Sequence, residues 1–354
     1  MALPEVMPVA VYKGRGNVAV EEVTVPEPGP GQVLVQVVNC GICGSDLHMM
    51  IEGWGQPGFV GGHETSGVVA RVGKAVSGWT AGDRVVVGPS PRCGECRRCK
   101  EQKPSQCERR SEMGTGGHMG AFAGFTVENA SSLIAIPDGM SDRAAALAEP
   151  LAVALHGITR SGIQTGDTAM VFGAGPIGAL TIAALKARGI TQVAVVEPGA
   201  TRRRLAGQLG ASEVLEPSDL ELFKPWEPDK IAARAVDVVL ECSGKKAAME
   251  AGLSQLKRGG RLVLVGAGME PPSFDPNRLL LNELEVCGSF VYDADGFEQA
   301  LSLLASDGFP VDILIEPAEV PLDGLFQAMN GLADGTIAGK VMVVPRLSAE
   351  VNAG

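Results

Sequence analysis

Thr168-Ala-Met-Val-Phe-Gly-Ala-Gly-Pro-Ile-Gly-Ala-Leu-Thr-Ile-Ala-Ala-Leu185 decides the fold of this 354-residue chain. Its first five residues read as a buried strand, and Pro176 to Arg188 reads as a helix. Between them lies a G-x-G-x-x-G, Gly173-Ala174-Gly175-Pro176-Ile177-Gly178. The first glycine permits a tight turn. The second lets backbone approach a pyrophosphate, and the third lets helix pack on strand. The helix start adds free N–H groups and a positive dipole end.

Working outward, the pattern keeps alternating. Val193–Glu197, Val236–Cys242 and Arg261–Val265 read as strands. Thr201–Leu209 and Lys246–Leu256 read as helices. Such alternation marks a parallel, doubly wound α/β sheet. Glu197 closes the second strand, where a carboxylate can accept from adenosine ribose hydroxyls. That position favours NAD, since a 2′-phosphate would face a negative charge. Arg202, Arg203 and Arg204 leave NADP open: they read either as a phosphate grip or as a solvated helix face.

Before about residue 150 the chain reads as all-β. Val6–Tyr12, Val18–Val23, Val33–Asn39, Gly67–Val72, Arg84–Val87 and Phe122–Val127 are short apolar runs between Gly/Pro turns, as in a small barrel or sandwich. Beyond 290 the periodicity weakens, leaving a helix at Gly296–Ala305 and a last strand at Gly339–Val344.

The net charge is −11, with 41 acidic and 30 basic residues. This argues against a nucleic-acid binder, which needs a basic face, and against a polybasic membrane anchor. The start of the chain lacks a charged segment ahead of an apolar run, and the Thr168–Leu185 stretch is broken by glycines and a proline. A soluble, cytoplasmic protein is therefore expected. Its 8 cysteines then need a reason other than disulfides.

Cys93, Cys96, Cys99 and Cys107 form C-x2-C-x2-C-x7-C in a charged loop at about 90–108. Four thiolates at this spacing can close a tetrahedral shell around a structural Zn²⁺, with an iron–sulfur cluster as the rival. A second constellation is dispersed: Cys43, His63-Glu64 and Glu149. Each alone could be core or a helix-starting acid. Together they offer one thiolate, one imidazole and two carboxylates, a set suited to zinc with an exchangeable position.

With these pieces in order, the sequence resembles the zinc-dependent medium-chain dehydrogenase/reductase family. Its sorbitol and threonine dehydrogenase-like branch is the nearest. The matching segments are Gly41-Ile-Cys-Gly-Ser-Asp-Leu-His48, Gly62-His-Glu64, Gly82-Asp-Arg-Val85, the cysteine loop, Ala148-Glu-Pro-Leu151, Gly173–Gly178 and Gly339-Lys-Val341. The resemblance implies a GroES-like β-barrel catalytic domain (1–156) with a structural zinc loop. A Rossmann NAD(P) domain (157–292) would interrupt it, and a C-terminal segment (293–354) would complete it. It implies two zinc ions per subunit and a homo-oligomer, a tetramer before a dimer.

Carried over by position, Cys43 and His63 would bind catalytic zinc. Glu64 would be a ligand or close partner, and Glu149 would bind zinc or its water. Ser45 would take a proton from a metal-bound alcohol and His48 would pass it on through a cofactor ribose hydroxyl, while Asp46 would orient His63. Val265, Gly266, Ala267, Ser289 and Phe290 would lie beside the nicotinamide, with Lys340 near the pyrophosphate.

Polyol dehydrogenases carry an arginine where Phe290-Val291-Tyr292 has valine, and an aromatic where Met49 stands. With Trp54 and Phe59 nearby, a pocket for an apolar secondary alcohol, cyclic ones included, is expected, and its product is the ketone. A polyol or diol is the alternative substrate. Two further readings are a zinc-free quinone or enoyl reductase, which needs no Cys43/His63 pair, and a non-catalytic dinucleotide-binding protein.

Overall fold

The computed structural model describes residues 3–88, 93–109 and 120–347. Residues 90–92 of the expected zinc loop and 348–354 of the expected C-terminal segment lie outside the described residues.

The chain opens on an antiparallel hairpin, β1 (Val6–Gly14) and β2 (Asn17–Thr24). The barrel-like sheet follows with β3 (Gln32–Gly41), β4 (Glu64–Val72), β5 (Arg84–Val87), β6 (Phe125–Asn129) and β7 (Leu133–Ala135). The second sheet is wholly parallel. It contains β8 (Thr168–Phe172), β9 (Gln192–Val196), β10 (Glu213–Leu215), β11 (Val236–Glu241), β12 (Leu256–Leu264) and β13 (Glu285–Gly288), in the order β10-β9-β8-β11-β12-β13. This is the doubly wound order, with its switch point between β8 and β11. A last strand, β14 (Met342–Val343), returns to β3 and pairs Met342 with Gly41 and Val343 with Cys40. A strand near residue 342 thus completes the sheet that β3 starts.

The helices are α1 (Gly44–Met50), α2 (Arg97–Lys100), α3 (Asp142–Ala145), α4 (Ala148–Ser161), α5 (Pro176–Ala187), α6 (Ala200–Gln208), α7 (Lys246–Ser254), α8 (Pro276–Asn282), α9 (Gly296–Leu304), α10 (Val311–Leu314) and α11 (Leu325–Asp334). The first 150 residues are therefore not all-β. In α1 the Asp46 carboxylate accepts the Cys43 N–H at 3.0 Å, a capping interaction hidden by a cysteine at the cap. In α4, Pro150 stands in the first turn, where a missing N–H costs nothing. Leu151, Leu155 and Ile158 bury one face of α4 against the parallel sheet, and Gly162, at φ +69°, stops it. The expected boundary at 156/157 falls inside this helix. Phe122 precedes its strand, which starts at Phe125.

Two cores result. One holds β8, α4, α5 and α9; the other joins the hairpin and barrel to Leu325, Met329 and Leu332 of α11. Among the described residues, no helix is long and apolar enough to cross a membrane.

Candidate active site

The glycine turn sits where β8 meets α5. Gly173 has φ +85°, a conformation that a side chain resists. A Cβ on Gly178 would overlap the carbonyl oxygen of Gly173, so helix and strand need that glycine to meet. A Cβ on Gly175 would meet nothing nearer than Arg202, at 3.7 Å, which leaves backbone open to a ligand. Pro176 starts the helix at its first position, and Ile177 gives its carbonyl to Thr181 Oγ1 at 2.8 Å. Glu197 is buried at the end of β9. Its oxygens accept the N–H groups of Ala174 and Gly199, each at 2.8 Å, so the acid and the glycine turn are tied together.

At the barrel-like sheet, Cys43 precedes α1, and His63 stands just before Glu64, which opens β4. Cys43, His63 and Glu64 each offer one ligand atom, all within 4.8 Å of one another. Strand pairing explains the convergence: Gly41 lies opposite Glu64, and a Cβ there would overlap Glu64 Oε2. Oε1 is engaged elsewhere, but Oε2 is buried without a hydrogen-bond partner. A buried orphan carboxylate oxygen beside a thiol and an imidazole fits a divalent metal. Glu149, on the first turn of α4, is outside that 4.8 Å set. It is close enough to feel His63, Glu64 and Lys340, and burial foremost pushes its carboxyl up to about 7. Burial lowers the proton affinity of His63, but Cys43, Asp46 and Glu149 outweigh it and the net shift is upward.

The four loop cysteines also converge, with Cys93 and Cys99 sulfurs 3.9 Å apart and Cys93 and Cys107 sulfurs 3.6 Å apart. Four thiolates on one zinc, at bonds of about 2.3 Å, stand about 3.8 Å apart. A multi-iron cluster would spread them wider, so the geometry favours the single ion. Backbone N–H groups of Cys99 and Glu108 bring Cys96 down to about 6. Burial, with the neighbouring thiols, pushes Cys99 up to about 12, so a metal bound here would have to draw off the remaining protons.

Comparison with known proteins agrees with this geometry. Residues 29–138 match the family model described as alcohol dehydrogenase GroES-like domain, and 176–306 match that described as zinc-binding dehydrogenase. Sorbitol dehydrogenase of Bacillus subtilis (strain 168) is 34% identical over 314 residues, covering 86% of this chain and 87% of that protein. The 2-dehydro-3-deoxy-L-galactonate 5-dehydrogenase of Pseudoalteromonas atlantica is 36% identical over 301 residues, covering 84% and 87%. The crystal structure of 2R,3R-butanediol dehydrogenase from Bacillus subtilis superposes with TM-score 0.83 at 30% identity, covering 96% of this chain and 100% of that one.

The chain belongs to the zinc-dependent medium-chain dehydrogenases. It falls on their sorbitol dehydrogenase-like branch, with a nicotinamide cofactor and action on CH–OH donors.

Several site residues of this dehydrogenase stand elsewhere than expected. Lys340, expected near the pyrophosphate, lies against Glu64 and the Ile42 carbonyl. It is 2% exposed, and its Nζ lies 2.7 Å from Glu64 Oε1 and 2.8 Å from the Ile42 carbonyl. The return of the chain to β3 draws it inward, and the Glu64 and Cys43 charges hold its ammonium above the usual amine range against the effect of burial. Asp46 does not grip the His63 ring. Its oxygens accept the backbone N–H groups of Cys43 and Gly62, so it fixes the two ligand-bearing segments together. Arg202 gives a guanidinium N–H to the Leu332 carbonyl at 2.6 Å, and Arg203 pairs with Glu216 at 2.6 Å. Of the three arginines, Arg204 alone is exposed, with an N–H to Thr201 Oγ1 at 3.2 Å.

Ser45 is exposed on α1, one turn before His48. Sequence reasoning missed Glu52, whose Oε2 lies 2.8 Å from His48 Nδ1 at an i,i+4 spacing that could have revealed it. Trp54 stacks on the His48 ring at 4.7 Å, while Met49 and Phe59 pack half-buried on the barrel core. Val291 packs half-buried on the other core. At the carboxyl ends of β11 and β12, a Cβ on Gly266 would strike Gly244 N, and a Cβ on Gly244 would strike Ala267 O. The loops carrying Ser243 and Val265 therefore touch backbone to backbone, beside the switch point. Ser289 follows β13, and Phe290 is exposed.

Proposed function

We propose that the chain oxidises a secondary alcohol to a ketone with NAD, using one catalytic and one structural zinc per subunit. The observation that carries this is the convergence of Cys43, His63 and Glu64, with ligand atoms within 4.8 Å of one another and Glu64 Oε2 buried without a hydrogen-bond partner. When bound, the metal acidifies the alcohol and the nicotinamide accepts hydride. Cys43, His63 and Glu64 hold the ion, with Glu149 beside it. Ser45 Oγ would accept the alcohol proton as its own hydroxyl proton moves through a cofactor ribose hydroxyl to His48, beside which Glu52 and Trp54 lie, and so to solvent. Cys93, Cys96, Cys99 and Cys107 hold the second ion. Glu197 supports NAD over NADP, since its charge sits at the turn where a 2′-phosphate would crowd it. Eight unpaired thiols support a cytoplasmic setting. The branch supports a homotetramer.

Met49, Trp54, Phe59 and Val291 would line the pocket in place of the arginine and aromatic of polyol dehydrogenases, which supports an apolar alcohol, cyclic ones included. A polyol or diol is the second reading, favoured by relatives named for sorbitol and butanediol. The deciding experiment is kinetics on cyclohexanol, 2,3-butanediol and sorbitol, each with NAD⁺ and NADP⁺. Highest kcat/KM on cyclohexanol with NAD⁺ is expected. Preference for sorbitol overturns the apolar reading, and turnover that survives full removal of zinc overturns the metal reading.

A further inference from the structure

Val291 has φ +48°, a left-handed backbone that a β-branched residue keeps only when its surroundings hold it there. It belongs to the segment Ser289–Asp293, which leaves β13 at the carboxyl end of the parallel sheet. Open α/β sheets receive their ligands at that end. The Ser289 N–H donates to Leu264 O at 2.9 Å, and Ser289 Oγ is buried with no partner. Tyr292 is buried edge-on against Phe297. The last residue, Asp293, is flanked on two sides. Its Oδ2 lies 3.2 Å from Nδ1 of His156 on α4, and its Oδ1 accepts from Ser105 Oγ at 3.3 Å.

Ser105 belongs to the four-cysteine lobe. It is buried in the single turn Pro104–Gln106, and the Cys107 N–H closes that turn on the Pro104 carbonyl at 3.0 Å. The sulfurs gather the lobe into a cluster of its own, made of the four cysteines. Its polar reach through Ser105 spans 188 residues to a cleft segment.

We propose that the four-cysteine lobe is a strut for the cleft: through Ser105 it pins Asp293, with His156 as the opposite wall, and so presents Ser289, Phe290 and Val291 to the cofactor. Ser105, Asp293 and His156 are positioning residues that act through the segment they hold. The inference rests on the reading of Ser289–Val291 as part of the nicotinamide cleft.

The test is hydrogen exchange on the zinc-loaded full chain, with NADH titration alongside. Ser105→Ala and Asp293→Ala should speed exchange in the 286–294 peptide and leave β8 and α5 unchanged. Cys99→Ser, which opens the lobe, should do the same, and Ser105→Thr should restore protection. The NADH dissociation constant should rise roughly fivefold for loss of one hydrogen bond. The double variant should be no worse than Asp293→Ala alone. Unchanged exchange in 286–294, or a rise spread over the whole chain, overturns the strut. A parent protein that fails to bind NADH refutes the cofactor reading instead, and the exchange data still decide the strut.

Discussion

Replacing Lys340 by methionine removes a charge at nearly constant shape, since both side chains are long and unbranched. The wild-type Nζ lies 2.7 Å from Glu64 Oε1, and both side chains are within 2% of complete burial. Methionine leaves Glu64 buried without its cation and strips the Ile42 carbonyl of a donor. Breaking one side of a buried pair costs about 3–5 kcal/mol. At about 2 °C per kcal/mol for a chain of this size, the metal-stripped variant should melt about 6–10 °C below its parent. Zinc on Oε2 would partly stand in for the lysine, so the gap should narrow in zinc-loaded protein. The pair raises the Lys340 amine above its ordinary 10.5, and such a group stabilises below its unfolded pKa and loses that stabilisation only as pH rises through the folded one. The lysine's own contribution should therefore stay constant from about pH 6 to about pH 9, while the loss of its pull on Glu149, whose carboxyl sits at about 7, should widen the gap between variant and parent as pH rises through that value. Differential scanning calorimetry with and without zinc is the assay. A stripped Lys340→Met protein that melts within about 1 °C of its parent would refute the reasoning.

Other outcomes are equally specific. Asp237 Oδ2 accepts from Thr168 N–H and takes Lys257 Nζ, each at 2.8 Å, and these contacts outweigh burial and hold its pKa at about 2. A depressed carboxylate stabilises above its ordinary 3.8 and stops doing so as pH falls toward about 2. Urea midpoints of Asp237→Asn should fall less steeply than the parent's across that window; parallel curves would contradict this. Gly178→Ala should drive α5 off the Gly173 carbonyl, costing about 1–3 kcal/mol, and weaken NADH binding at least tenfold by fluorescence titration. An unaltered dissociation constant would show that the turn is not the cofactor seat. Cys99→Ser should lower bound zinc from two ions per chain to one by elemental analysis. Retention of both ions would rule out the cysteine loop as the structural site.

How much could be read without coordinates depends on how local each signal is. The glycine turn was legible because strand, turn and helix are contiguous, so Gly173, Gly175 and Gly178 carry their geometry in their spacing. The cysteine loop was legible for the same reason. Helix α4 was obscured by Pro150, whose effect depends on its place in the first turn. Glu52 was hidden among ordinary surface acids until the stack of Trp54 on His48 gave it a partner.

What the sequence by itself determined is the parallel sheet, its glycine turn and two sets of side chains able to ligate a metal, because short-range periodicity and spacing constrain backbone directly. Only the tertiary structure decided where Lys340 points and what Asp293 meets. A lysine can reach many partners from one backbone position. The pairing of β14 with β3 closed a separation of 276 residues to Glu64, and no local rule reaches that far.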